Sequence, residues 1–175
     1  MIFSTPVKFD ENEWFVLTGL IIFLIIFWRL PKHFPPALTF MILLFTVNLG
    51  ITADYILDTN FPFNAYDALD TAQFDLFDFI MSNINYGLFG YVFIYFYDKW
   101  HVTGLIRFLY IAFWIFLSVV MEYIATKLNV FTYNDWNLGY SFICYLFIFA
   151  YYILVLKIGK AAFNQYKNNS FIRER

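Results

Sequence analysis

The chain has 175 residues, 62% of them hydrophobic and 25% aromatic, with only 14% charged and a formal net charge of −2. Ordinary globular domains hold about 25% charged and about 45–50% apolar residues, so a soluble fold of this length could not hide so much apolar surface. The composition is that of an integral membrane protein, and the near-neutral balance without any recognised nucleic-acid module excludes a nucleic-acid partner.

The N-terminal stretch MIFSTPVKFDENEW carries three acidic residues and one lysine, with no small-residue cleavage site after it. The first apolar run is therefore expected to be a permanent span rather than a removed signal. Five segments reach the ~17–25 apolar residues that a bilayer-crossing helix needs: 14–30, 36–57, 76–97, 105–125 and 138–156. Runs such as LIIFLIIFW do not alternate as barrel strands would. The expected fold is all-α, a single polytopic domain over 1–175 built as a bundle of five transmembrane helices.

The long connector 58–75 holds Asp58, Asp67, Asp70 and Asp75 and no base, and its aromatics Phe61, Phe63 and Tyr66 suit the membrane interface. Pro62 breaks any long helix there, and a short interfacial helix over 64–72 capped by Asn64 is expected. The loop reads either as a solvated acidic segment or as a mouth that collects cations. His33 and His101 fall in loops near the membrane surface. Trp14 and Trp136 lie near one boundary and Trp28 and Trp100 near the other, the belt expected of amphipathic rings. Cys144 is the single cysteine, which excludes an intrachain disulfide and any CxxC redox or metal motif. No cofactor or metal is expected.

Basic residues give the orientation, since Lys and Arg accumulate in cytoplasmic loops. One side collects Arg29, Lys32, Lys99, Arg107, Lys157, Lys160, Lys167, Arg173 and Arg175, and the other only Lys8 and Lys127. This asymmetry places the protein in the cell membrane with the N-terminus outside and the tail 157–175 cytoplasmic. The basic tail then anchors to anionic headgroups, each charge contributing about 1 kcal/mol near the surface. The bilayer is accordingly the first expected partner, with a membrane-protein partner or a second copy the next.

With that orientation the in-span acids gather at the outer side, except Asp98 at a cytoplasmic turn. Asp54 falls about one turn from the outer end of span two, and Glu122 likewise in span four. In span three, Asp75, Asp78, Ser82 and Asn85 are spaced by three, four and three residues, one face of an α-helix. Gly87 and Gly90 beyond them permit close helix approach, and in span two Asn48 and Thr52 share a face while Asp54 points away. Asp54, Asp78, Asn85 and Glu122 thus form a candidate polar or cation site open to the outside. An ionisable residue inside a span is by default a functional hypothesis. Glu122 is expected to meet Asp78 and Asn85 across a helix interface, with Tyr55, Tyr86 or Lys127 as other partners. The competing reading is a packing network without a ligand.

The segments FDLFDFIMSNINYGLFGYVFIYFYDKW and MEYIATKLNVFTYNDWNLGYSF resemble a family of small, uncharacterised multi-pass membrane proteins from spore-forming Gram-positive bacteria. The resemblance covers residues 74–157 and lies in an aromatic third span, a glutamate late in the fourth, and a short Tyr/Trp turn before the fifth. Glu122, Tyr123, Tyr133 and Trp136 match that pattern. It implies a fold and a host class and no activity. The functional expectation is a non-enzymatic membrane module or partner subunit, with a small carrier or sensor for a proton, cation or small solute as the alternative. A lipid-modifying enzyme ranks third, because no nucleophile, metal set or phosphate loop accompanies the carboxylates.

The orientation has a direct check. In a Cys144→Ser background, cysteines placed singly at Asn64 and Asn168 should differ on intact cells, an impermeant thiol reagent labelling position 64 and sparing 168. The reverse pattern would overturn the topology.

Overall fold

The computed structural model describes residues 9–57, 65–68 and 76–173, apart from the side chains of residues 54, 68, 78, 82 and 166–173. The fold is an all-α bundle: α1 (Glu11–Arg29), α2 (Pro36–Leu57), α3 (Leu76–Phe79), α4 (Tyr86–Lys99), α5 (Gly104–Lys127) and α6 (Leu138–Arg173), with two short strands, β1 (Tyr66–Ala68) and β2 (Phe131–Tyr133). A π-helical segment, Ile80–Asn85, joins α3 to α4. Helices α1, α2, α5 and α6 are each long and apolar enough to cross a membrane. The remaining expected span is composite, running without a break from Leu76 to Lys99 through the π segment.

Local chemistry sets the helix ends. Asp10 caps α1 in a capping box, its backbone N–H donating to Glu13 Oε2 at 2.8 Å. The helix stops before Pro31, where Leu30 turns to the extended conformation that a residue preceding proline prefers. Pro36 starts α2 at a position where its missing N–H costs nothing. At the end of α5, Asn129 adopts a positive φ of 54° and the Val130 N–H reaches back to Ala125 O at 2.9 Å. This left-handed cap, of the kind asparagine tolerates, turns the chain sharply into β2. Val130, fully buried, packs on Ala125 beneath it.

The bundle is arranged around α4. Phe93, Ile94 and Tyr95 are completely or almost completely buried, whereas the outer helices present Trp28, Leu105, Phe108 and Phe40 outward. An apolar exterior around a packed core is what a lipid solvent permits. Phe93 lies against Trp114 of α5 and Phe149 and Tyr152 of α6, and Tyr110 donates to Phe93 O at 2.7 Å. Gly87 and Gly90 do allow close approach: a Cβ on Gly90 would lie 2.7 Å from Thr46 Cγ2 and 2.8 Å from Tyr152 Cζ. Thr46 is fully buried, and its hydroxyl lies 3.1 Å from Gly87 O and 3.0 Å from Ile42 O in its own helix.

Two sequence expectations are corrected, and two are refined. Residues 66–68 are not helical: β1 pairs antiparallel with β2, Tyr66 opposite Tyr133, so partnering by another loop overrides the local helical signal. Asn64 and Pro62 lie outside the described residues. The basic tail is a continuation of α6, which runs to Arg173. His33 lies in the α1–α2 connector, as expected, and its Nε2 stands 2.8 Å from Asp98 Oδ2 while Lys160 Nζ holds Asp98 Oδ1 at 2.5 Å. Asp98 thereby ties the α1–α2 connector, α4 and α6 together at one end. The α-spaced stripe from Asp75 to Asn85 also crosses the π segment, where i→i+5 bonding, as in Tyr86 N–H to Met81 O, changes the residues per turn. Its side chains need not share one face, and of the four only that of Asn85 is among those described.

Crowding at Gly90 gives a stability test. Gly90→Ala should destabilise the bundle by about 1–3 kcal/mol, the usual cost of overpacking, whereas alanine at Gly104, where nothing lies within 4 Å, should cost only the strain of its positive φ of 55°. Thermal melts in detergent should show the larger loss at Gly90.

Candidate functional site

Glu122 lies five residues before the end of α5. Its carboxylate is the centre of a hydrogen-bonded cluster built from three segments. Tyr133 of β2 donates to Oε1 at 2.5 Å, Ser141 of α6 donates to the same oxygen at 2.6 Å, and Tyr145, one turn further along α6, donates to Oε2 at 2.8 Å. Behind them the Trp136 indole N–H donates to Ser141 Oγ at 2.8 Å, which leaves the serine proton directed at Glu122. Hydrogen bonds to an ionised acceptor are roughly twice as strong as neutral ones.

Each donor is positioned by the fold described above. The left-handed turn at Asn129 starts β2 after only three residues beyond α5, and the pairing of β2 with β1 fixes its register. Asn134 extends that clasp, its N–H donating to Ala65 O at 3.0 Å and its amide to Asp67 Oδ2 at 3.1 Å. Asn137 accepts from the N–H groups of Gly139 and Tyr140 at the start of α6, which sets the rotation of the turn carrying Ser141. Burial, then the neighbouring Glu122 carboxylate, pushes the Tyr133 hydroxyl well above the usual tyrosine range, so it stays protonated and remains a donor.

Two cavities meet at this cluster. One, of about 120 Å³, lies between α2 and α6 beneath Tyr66 and Trp136. The other, of about 220 Å³, lies among α1, the π segment and α5. Glu122, Tyr145, Phe131, Tyr86 and Phe89 border both and form the partition between them.

Of the sequence candidates, the structure brings Asn85 and Glu122 to the same cavity but does not bond them to each other. Asn85, at the end of the π segment, donates through Nδ2 to Val16 O of α1 at 3.0 Å. Gly19 makes that approach possible, because a Cβ there would stand 3.3 Å from Asn85 Nδ2. Asp54 lies on α2 and Asp78 on α3, and their side chains are outside those described. The partners that the structure shows for Glu122 are hydroxyl groups from β2 and α6. Lys127 turns elsewhere, with Nζ 5.5 Å from the Tyr123 ring centroid. Trp136 is more than a boundary anchor, since its N–H is engaged within the cluster, unlike the outward-facing Trp28. Ser141 and Tyr145 escaped sequence reasoning, although their spacing of four on an apolar helix places them on one face. No protein-family model, curated protein or solved structure matches this chain.

The cluster sets an order of mutational effects. Tyr133→Phe and Tyr145→Phe should each cost about 1.5–3 kcal/mol, the range for a hydrogen bond to a charged group. Glu122→Leu should cost more than either, because it strands three donors, and Glu122→Gln should cost less than Glu122→Leu. Trp136→Phe should lower the melting temperature more than Trp28→Phe. Detergent melts that left Glu122→Leu as stable as the parent would contradict the cluster.

Proposed function

We propose that this chain is a non-enzymatic multi-pass module of the cell membrane, N-terminus outside and C-terminus cytoplasmic, that works by associating with a membrane-protein partner or a second copy of itself. One observation carries the reading: the Glu122 carboxylate is engaged by three hydroxyl groups of its own chain. A general acid or base must reach a proton on a substrate, whereas this carboxylate is turned inward to join α5, β2 and α6. The outward apolar faces of α1, α2 and α5 offer the helix surfaces that lateral association in a bilayer uses. The resemblance to membrane proteins of spore-forming Gram-positive bacteria supports the same setting and host class.

A second reading, a small carrier or sensor, is favoured by the two cavities that meet at Glu122. Copurification from native membranes separates the two. The module reading expects one stoichiometric protein partner or a defined homo-oligomer, with melting indifferent to sodium, potassium and calcium. A monomer without a partner whose melting temperature climbs with one of those cations, and no longer does so in Glu122→Gln, would overturn the module in favour of the carrier.

A further inference from the structure

The larger cavity is an apolar crevice, although Asn85, Ser118 and Glu122 stand in its wall. Each turns its polar atoms to the protein. Asn85 gives Nδ2 to Val16 O, and its Oδ1 is occluded. Ser118 donates to Trp114 O at 2.9 Å, and Glu122 is engaged by Tyr133, Ser141 and Tyr145. What the wall offers a guest is therefore rings and aliphatic groups, with Phe15, Phe23 and Phe89 beside Met81 and Met121. Methionine is unbranched and flexible, so it adapts to the shape of an apolar guest.

Two helices face each other across this space. Phe15, Thr18, Gly19 and Ile22 lie along one face of α1, and Ser118, Met121, Glu122 and Ala125 along one face of α5. Yet α1 packs chiefly on the π segment and α4, and α5 chiefly on α6 and β2. Thr18, Ile22 and Met121 line the cavity and are also exposed, so it opens outward between α1 and α5. Apolar exterior flanks the opening, with Ile21 and Ile25 exposed on α1 and Phe113 and Phe116 on α5. In a bilayer that exterior faces lipid tails.

We propose that this crevice is a binding site for one acyl chain of a bilayer lipid, which enters between α1 and α5 and lies against Phe89. The opening is continuous with the lipid-facing surface, so hydrocarbon is the guest at hand. An empty apolar space forfeits dispersion contacts that a chain restores. Its size suits a chain rather than a helix. A cavity of about 150 Å³ takes the six carbons of benzene, so about 220 Å³ takes roughly nine carbons at the same density. A helix with its side chains is about 10–12 Å across, too wide for that space. This assignment is independent of the module reading, which holds or fails on partners.

The full chain should be reconstituted in vesicles of phosphatidylcholine that carries a photoactivatable diazirine midway along one acyl chain. After illumination, the labelled residues are mapped by mass spectrometry. The parent should be labelled at Met81 and Phe89 inside the crevice as well as at the lipid-facing Phe116. Ser118→Leu puts a larger apolar side chain into the cavity, and Thr18→Leu narrows its mouth from an exposed position where packing is not disturbed. Both should lose label at Met81 and Phe89 and keep it at Phe116, Ser118→Leu more completely. A parent-like melting temperature certifies each variant as folded, and Thr18→Leu decides alone if Ser118→Leu fails that check. Label confined to Phe116 in the parent, as when a partner helix covers the mouth, would overturn the site. Label at Met81 and Phe89 that no folded variant reduces would overturn it equally.

Discussion

A carboxylate inside an apolar helix has to find donors or lose its charge. On insertion scales a central charge costs about 2.5–3.5 kcal/mol, less nearer the interface. In this bundle Glu122 finds donors in Tyr133, Ser141 and Tyr145. Much else follows from that requirement. Tyr133 can reach only because α5 ends in a tight left-handed turn, and Ser141 and Tyr145 only because α6 returns immediately alongside α5. The β1–β2 pair then fastens the α2–α3 connector to the same turn, so one charge organises one whole end of the molecule.

The opposite end repeats the principle with different chemistry. Asp98 is held by Lys160 and His33, joining α4, α6 and the α1–α2 connector. Ser141 and Lys160 lie on the same helix, and at 1.5 Å per residue they stand about 28 Å apart. That separation is close to the ~30 Å hydrocarbon thickness of a bilayer. Between the two polar clusters the packing is almost wholly apolar, with α4 enclosed by its neighbours. Enclosure explains how α4 can follow a π segment and carry two glycines facing α2 and α6, since a helix gripped on several sides needs less stiffness of its own. Asn85, at the junction of π and α geometry, uses its amide to fix α1 against this central helix.

The helical class and the positions of the apolar spans were legible because a bilayer demands long unbroken apolar runs, which a sequence displays directly. Glu122 itself was conspicuous for the same reason, as a charge stands out against such a background. Its partners were not. Span three was read with α periodicity, and the π segment breaks that spacing. Tyr133 comes from a ten-residue connector whose strand pairing depends on a loop more than sixty residues earlier in sequence. Tyr133 and Trp136 did stand out in the resemblance, while Tyr123 from the same pattern faces outward. Ser141 and Tyr145 share a helix face, but only the antiparallel return of α6 turns that face towards Glu122.

The central claim is that Glu122 and its hydroxyl donors act as one unit. A double-mutant cycle between Glu122→Gln and Tyr133→Phe, measured by reversible unfolding in mixed micelles, tests it most directly. Groups in contact within one hydrogen-bond network couple by about 0.5–3 kcal/mol, so the double variant should lose clearly less stability than its two single variants combined. Strict additivity would contradict the account, leaving Glu122 and Tyr133 as neighbours without a shared bond.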